Sequence, residues 1–177
     1  MKNPLQNSLF VLFLFFLARP AVAQEQFAIE ATGLMPKSIR FQIPSGDSSQ
    51  QLFQQTLDWI KANEKTYKLT LEETGLGTEM VLTHIKNNAV NLGDRYFHAK
   101  YDTKIQFEGS QILFEPIKIQ LKVNSKYDMG WNDFDLSSGV EFFKKDKPIK
   151  KYRTYLNDLV APINALHQAL VSYLMKD

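Results

Sequence analysis

The chain has 177 residues, with 21 Lys and Arg against 19 Asp and Glu, a formal net charge of +2 and no cysteine. The absence of cysteine excludes disulfides, thiol nucleophiles, cysteine-ligated zinc and a lipid anchor on cysteine. A chain with so little net charge has no overall electrostatic attraction to nucleic acid, so we expect no nucleic-acid partner.

The first 23 residues are predicted to be a secretory signal peptide. Lys2 precedes an apolar run at residues 9–18 that is too short to span a membrane, and small residues at 21–23 suit cleavage directly after them. The expected location is therefore the bacterial periplasm or the cell exterior. Arg19 and Pro20, which follow the apolar run, leave an uncleaved anchor as the alternative.

Residues 24–37 show only weak periodicity and are interpreted as a leader, and residues 38–177 are expected to form a single domain. Residues 38–43 alternate between apolar and polar side chains, which predicts a strand that ends at Pro44.

The clearest amphipathic helix is predicted for residues 47–63. Ser48 and Gln51 have the spacing of a capping box, in which each side chain bonds to the backbone N–H of the other residue. Apolar residues then recur at intervals of three and four, as in a helix that buries one side. Trp59 lies beside this stripe and is interpreted as a large core residue rather than as a platform for a ligand.

Four further strands are predicted from alternating residues, at 67–72, 79–85, 96–107 and 111–123. We expect a turn at Gly75 and Gly77, and turn residues also place a loop at 87–94 and a hairpin at 108–110. The apolar positions of the last strand change parity at Pro116, which predicts a bulge or an edge position there.

The remainder of the chain is predicted to hold a polar and aromatic loop at residues 124–138 and a helix at residues 152–174. Pro162 lies in this helix as a kink or as the first residue of a new helix. We expect the helix to pack on its own domain, with docking of a partner helix as the alternative. Together the elements predict an α+β fold, an antiparallel sheet with helices on one face and a largely polar opposite face.

Three stretches carry a likeness to a known family: the strand ending in Ile43-Pro44-Ser45-Gly46, the helix with Leu52-Phe53 and Trp59-Ile60, and the hairpin of Lys104-Ile105-Gln106-Phe107-Glu108-Gly109 with Ile112-Leu113-Phe114. Through them, residues 38–123 resemble an uncharacterised family of secreted bacterial domains with a TATA-binding-protein-like fold. The resemblance implies the fold of a domain of unknown function. It implies no reaction and no functional residue, and the fold name does not bring DNA binding with it.

No catalytic constellation is found in the sequence. His84, His98 and His167 contain no pair at the i, i+4 spacing of zinc proteases, and the G-x-S-x-G elbow and phosphate-binding glycine loops are absent. We therefore predict a protein without catalytic residues, metal or cofactor.

The loop at residues 127–135 is the candidate binding element. The favoured interpretation is that the loop folds its aromatic residues over the edge of the core. The alternative is that Tyr127, Trp131 and Phe134 contact a glycan or an envelope protein, because binding residues concentrate on loops held by a rigid sheet. The same loop offers oxygen ligands for calcium, but their spacing does not match an EF-hand: Asp128, Asn132, Asp133 and Asp135.

A basic run at residues 144–153, which begins with Lys144 and ends with Arg153, is either a contact with an anionic membrane surface or a solvated connector. The function predicted from the sequence is a non-catalytic binding or interaction module exported to the bacterial envelope. The alternative is a carrier of a small molecule or lipid, with a cleft between the sheet and the helices, and an enzyme is the third possibility.

Overall fold

The computed structural model describes residues 25–75, 77–127 and 130–176, so the predicted signal peptide at residues 1–23 lies outside the described residues. The elements follow in the order β1 (Ala28–Glu30), β2 (Gly33–Met35), β3 (Ile39–Gln42), α1 (Ser49–Tyr67), β4 (Leu69–Gly75), β5 (Glu79–Leu92), β6 (Arg95–Glu108), β7 (Gln111–Val123), β8 (Asn132–Phe134), β9 (Phe143–Lys144), β10 (Lys147–Pro148) and α2 (Arg153–Leu174).

A six-stranded antiparallel sheet forms the centre of the molecule: five strands follow in the order β3-β7-β6-β5-β4, and β8 is the sixth, paired with β7. One edge of β7 pairs with β6, and two short strands divide the other edge: β3 pairs with its first half and β8 with its second half. Pro116 lies between these two partners and opposite Thr103, and Ile117 is the extra residue of a bulge there. The predicted bulge at Pro116 is confirmed, and the position suits a residue that has no N–H to donate.

Both helices cover one face of the sheet, and the core lies between the helices and the sheet. The alternating pattern of each long strand turns one set of side chains into this layer. Those fully or almost fully buried there are Met80, Leu82, His84, Ala99, Tyr101, Ile105, Phe107, Ile112, Phe114 and Ile119. The predicted α+β fold, with helices on one face, is confirmed.

Helix α1 begins with the predicted capping box. The Ser48 N–H donates to the Gln51 side chain at 2.9 Å, and the Gln51 N–H donates to Ser48 Oγ at 3.4 Å. Trp59 is 3% exposed and belongs to the core. The helix continues past the predicted end to Tyr67, because Lys68 ends it only there in the left-handed conformation, with φ 50°. Tyr67 was predicted to begin a strand and is the last helical residue instead.

Strand β5 includes most of the segment that was predicted as a loop at residues 87–94. A register shift between Lys86 and Val90 marks a bulge, and Asn88 has a φ of 50°. The bulge is held by two hydrogen bonds, from the Asn88 N–H to His98 Nδ1 at 3.2 Å and from Asn124 Nδ2 to Asn88 Oδ1 at 2.7 Å. The loop prediction was wrong because the polar bulge interrupts the alternation, whereas Val90 beyond it is fully buried.

The segment interpreted as a leader forms the β1–β2 hairpin and contributes buried residues to the core. Asn164 on α2 bonds to both backbone groups of Phe27, at 2.8 Å and 2.9 Å. The hairpin also contacts the loop between β8 and β9, where the Leu34 N–H donates to the carbonyl of Leu136 at 2.9 Å. From Phe27 onward this segment is therefore part of the packed fold.

Helix α2 passes through Pro162 without ending and buries the predicted stripe against the sheet. In the part of the chain that the structure describes, no helix is long and apolar enough to cross a membrane. The region predicted as a loop at residues 124–138 contains the short strand β8. The basic run is folded rather than extended, since β9 and β10 pair across a tight turn at Lys145 and Asp146.

Candidate functional site

The face of the sheet away from the helices, called the outer face here, carries charged side chains in matched pairs. Arg40 Nη1 lies 2.6 Å from Glu108 Oε2, and Lys104 Nζ lies 3.2 Å from Glu79 Oε2. Thr83 Oγ1 donates to Asp102 at 2.7 Å in the middle of the face. Because acids and bases alternate, this part of the outer face presents no field of one sign.

The structure separates the three aromatic residues that the sequence singled out. Phe134 lies opposite Ile119 on the core side of the sheet and stacks on Phe142, with ring centroids 5.8 Å apart. Trp131 comes directly before β8, and Lys100 Nζ lies 5.7 Å from its ring centroid. Tyr127 is 66% exposed. Phe134 is therefore placed to pack, whereas Tyr127 is open to a partner and Trp131 is half-buried.

Two exposed tyrosines and the half-buried Trp131 mark one end of the outer face, called the aromatic end here and defined by Tyr96, His98, Lys100, Tyr127 and Trp131. Tyr96, which is 50% exposed, shares a face of β6 with His98 and Lys100. The Asn124 N–H donates to the carbonyl of Tyr96 at 2.8 Å and so ties the loop that carries Tyr127 to this strand. Sequence reasoning missed Tyr96, although its parity with His98 already placed it on the polar face.

Lysine side chains lie beside two of these three rings, those of Trp131 and Tyr127. Lys126 Nζ lies 5.1 Å from the ring centroid of Tyr127, and Lys100 takes the corresponding position at Trp131. Such contacts orient a ring while the cation stays in reach of solvent. The aromatic end is thus a set of amphipathic rings bordered by positive charge.

The carboxylates of the candidate calcium loop are used in other ways. Asp133 accepts a hydrogen bond from Gln120 at 2.6 Å and lies 3.5 Å from Lys118. The hydroxyl and backbone N–H of Ser137 donate to Asp135 and lower the pKa of its carboxyl. Asp128 lies outside the described residues. Among the residues that are described, no three His, Asp or Glu side chains come together as a metal site.

The three histidines occupy three separate places. Burial lowers the pKa of His167 to about 4. The pKa of His84 is also lowered to about 4, mainly by burial and to a smaller extent by the positive charge of Lys86. Both rings are therefore neutral at neutral pH and pack among aromatic residues. His98, at the β5 bulge, accepts the Asn88 N–H. The structure brings no two of them together as a catalytic or metal-binding pair.

The charged side chains of the basic run are exposed around the β9–β10 hairpin and the short turn before α2. Lys151 Nζ lies 4.6 Å from the ring centroid of Tyr152. This places positive charge around the N-terminal end of α2.

Two solved structures are similar to this one. A TBP-like protein from Parabacteroides distasonis superposes with a TM-score of 0.55 at 14% identity, over 77% of this chain and 90% of that one. The chain has a TBP-like fold. A DUF4468 family protein from Bacteroides ovatus superposes with a TM-score of 0.50 at 15% identity, over 79% of this chain and 85% of that one.

The fold expected from the resemblance of residues 38–123 is thus confirmed, and the likeness extends over most of the chain. No protein-family model and no curated protein matches the sequence. At such low identity the TBP-like fold is what the two neighbours share with this chain, and a shared fold carries no function across.

Proposed function

We propose that the protein is an exported, non-catalytic binding module that engages an acidic surface of a partner protein through the aromatic end. The observation that supports this is the placement of Trp131 and Tyr127, each beside a lysine, next to a rigid sheet. Export rests on the predicted signal peptide at residues 1–23.

Aromatic rings of this kind suit protein recognition. Tyr and Trp contribute large contact areas at a small cost in conformational entropy, and they are enriched among the residues that dominate binding energy. Tyr96 lies on β6 and Trp131 directly precedes β8, so the sheet positions the backbone of both residues before binding. Lys100 and Lys126 favour an acidic counterpart, which would also accelerate association at low salt.

A lipid carrier is less well supported. Carriage of a lipid needs apolar space between the sheet and the helices. Among the described residues, Leu52, Ile105 and Leu159 belong to the core cluster and have no exposed surface, so the helices rest directly on the sheet in the centre of this layer.

The test uses a photoreactive phenylalanine analogue at position 127, introduced in the producing cells, with the same analogue at Tyr173 as the matched control. Tyr173 is an exposed tyrosine on α2. We expect a discrete protein adduct from position 127 that is absent from position 173 and is lost in Trp131→Ala. With the purified partner, Trp131→Ala should weaken binding by more than tenfold, about 1.4 kcal/mol or more.

The proposal is wrong if position 127 yields no protein adduct, or yields one that persists in Trp131→Ala. An adduct that consists only of glycan would also overturn it, in favour of a carbohydrate ligand. Urea denaturation of Trp131→Ala shows whether the variant is folded, so that lost binding is not mistaken for lost structure.

A further inference from the structure

A second candidate site lies on the other side of the sheet, in a groove of about 590 Å³. Its walls are the C-terminal end of α1, the bulged part of β5 and the middle of α2. Its lining includes Tyr67, His84, Lys86, Asp158 and Pro162. The volume is in the range that holds small ligands.

The α2 wall presents hydrogen-bond acceptors. Asp158 Oδ2 already accepts the Asn91 N–H at 3.2 Å, which fixes the orientation of the carboxylate at the groove. Pro162 has no N–H, so the backbone carbonyl of Asp158, four residues before it, lacks the donor that continues an α-helix. The carboxylate and this carbonyl both belong to Asp158. Together they favour a cationic group with several N–H donors.

The β5 wall presents a cation. Lys86 begins the bulge that is held by His98 and Asn124, so its backbone position is fixed from outside the groove. The ammonium group of Lys86 is not paired with Asp158 in an ion pair of 4 Å or less. Opposite charges therefore face the groove from two walls without neutralising each other.

His84 contributes an unused polar atom between these walls. The residue lines the groove although it is only 3% exposed, and its Nδ1 has no hydrogen-bond partner. A buried polar atom without a partner costs about 1–3 kcal/mol of stability, so the fold leaves one polar group unsatisfied beside the groove. The Tyr67 ring packs edge-on against His84, with centroids 6.2 Å apart, and adds an aromatic surface.

We propose that this groove binds a small zwitterion of amino-acid or dipeptide size, with its ammonium group at Asp158 and its carboxylate at Lys86. The ammonium group would donate to the carboxylate and the free carbonyl on α2, and the carboxylate would pair with the lysine on β5. This proposal does not rest on the proposed function of the aromatic end, although His98 of that end holds the β5 bulge.

The test measures binding of glycyl dipeptides by amide NMR shifts of the purified protein. Each dipeptide is compared with its N-acetylated form, which has no ammonium group, and with its C-terminal amide, which has no carboxylate. We expect shifts at Thr66, at residues 84–89 and at Asp158, with at least tenfold weaker binding of both blocked forms. Asp158→Asn should reduce discrimination against the acetylated form, and Lys86→Gln should reduce discrimination against the amide.

Two matched controls change the same charges elsewhere. Asp58→Asn on α1 and Lys145→Gln in the β9–β10 turn are exposed and should leave the affinity unchanged. Pro162→Ala supplies an N–H to the Asp158 carbonyl, so it should strengthen the helix and weaken dipeptide binding at the same time. General damage to the fold cannot produce that combination.

The proposal is overturned if no dipeptide at millimolar concentration moves these resonances. It is also overturned if the affinity does not respond to blocking the termini, or if Asp158→Asn and Lys86→Gln have no more effect than the two controls. Failure here leaves the aromatic end untouched, because the crosslinking experiment reports on a different surface.

Discussion

His167 should make the stability of the protein depend on pH in the mildly acidic range. The ring lies in the core, 1% exposed, beside Phe27, Phe41 and Phe114, with centroids 6.3, 5.4 and 5.1 Å away. Its Nε2 has no hydrogen-bond partner, and burial lowers its pKa from 6.5 to about 4. Protonation would place an unpaired charge among three phenylalanines.

The sign follows from the direction of the shift. Between pH 6.5 and pH 4 the unfolded chain binds a proton at this residue and the folded chain does not. The free energy of unfolding therefore falls as the pH falls through this window, by about 1.4 kcal/mol per pH unit at most. From pH 7 to pH 4 the loss from this residue amounts to about 3 kcal/mol. His84 contributes a second loss of the same sign, because its pKa is lowered to about 4 as well.

The assay is urea denaturation of the wild type and of His167→Leu at pH 7, 6, 5 and 4, followed by tryptophan fluorescence. Leucine is close to histidine in volume and removes the unpartnered nitrogen, so we expect the variant to lie within about 1 kcal/mol of the wild type at pH 7. Between pH 6 and pH 5 its stability should fall less steeply than that of the wild type, by about 1 kcal/mol per unit. Acidic side chains affect both proteins and cancel in the difference. Parallel curves for the two proteins would refute the reasoning.

Three substitutions test the packing and the helix cap by urea denaturation. Trp59→Ala should destabilise the protein by about 3–5 kcal/mol, because it empties a large core position, and a loss below about 1 kcal/mol would contradict its burial. Gly139→Ala should cost about 1–3 kcal/mol, because the new Cβ would collide with the backbone carbonyl of Glu30. Gly77→Ala is its control: open space surrounds that site, and only the positive φ of 78° is strained, so an equal or larger loss there would argue against the collision. Ser48→Ala should cost about 1 kcal/mol through the lost capping box, and no loss would mean that water replaces it.

Local patterns in the sequence determined much of this fold. The capping box at Ser48 and the stripe beside Trp59 predicted α1. Both patterns depend on residues that are three or four positions apart in the sequence. The alternation in β6 predicted which side chains face the helices, and the change of parity at Pro116 predicted the bulge. These features are readable because strand and helix periods are set by the backbone alone.

The elements that were missed depend on partners far away in the chain. The β1–β2 hairpin is held by Asn164, 137 residues from Phe27, and no pattern within residues 25–35 records that contact. Strand β8 exists because the second half of β7 offers it a free edge. The polar bulge in β5 was predicted as a loop because its hydrogen bonds come from β6 and from Asn124.

The candidate sites divide in the same way. The sequence by itself determined that Trp131 and Tyr127 are uncommon residues in a polar loop, and that His84 shares a strand face with Met80 and Leu82. The tertiary structure alone decided that Phe134 packs on Phe142 and that Tyr96 is exposed beside His98. It also placed Lys86, His84 and Asp158 in the lining of one groove. The physical reason is that local periodicity decides which way a side chain points, whereas its neighbours there are decided by strand register and helix packing between distant segments.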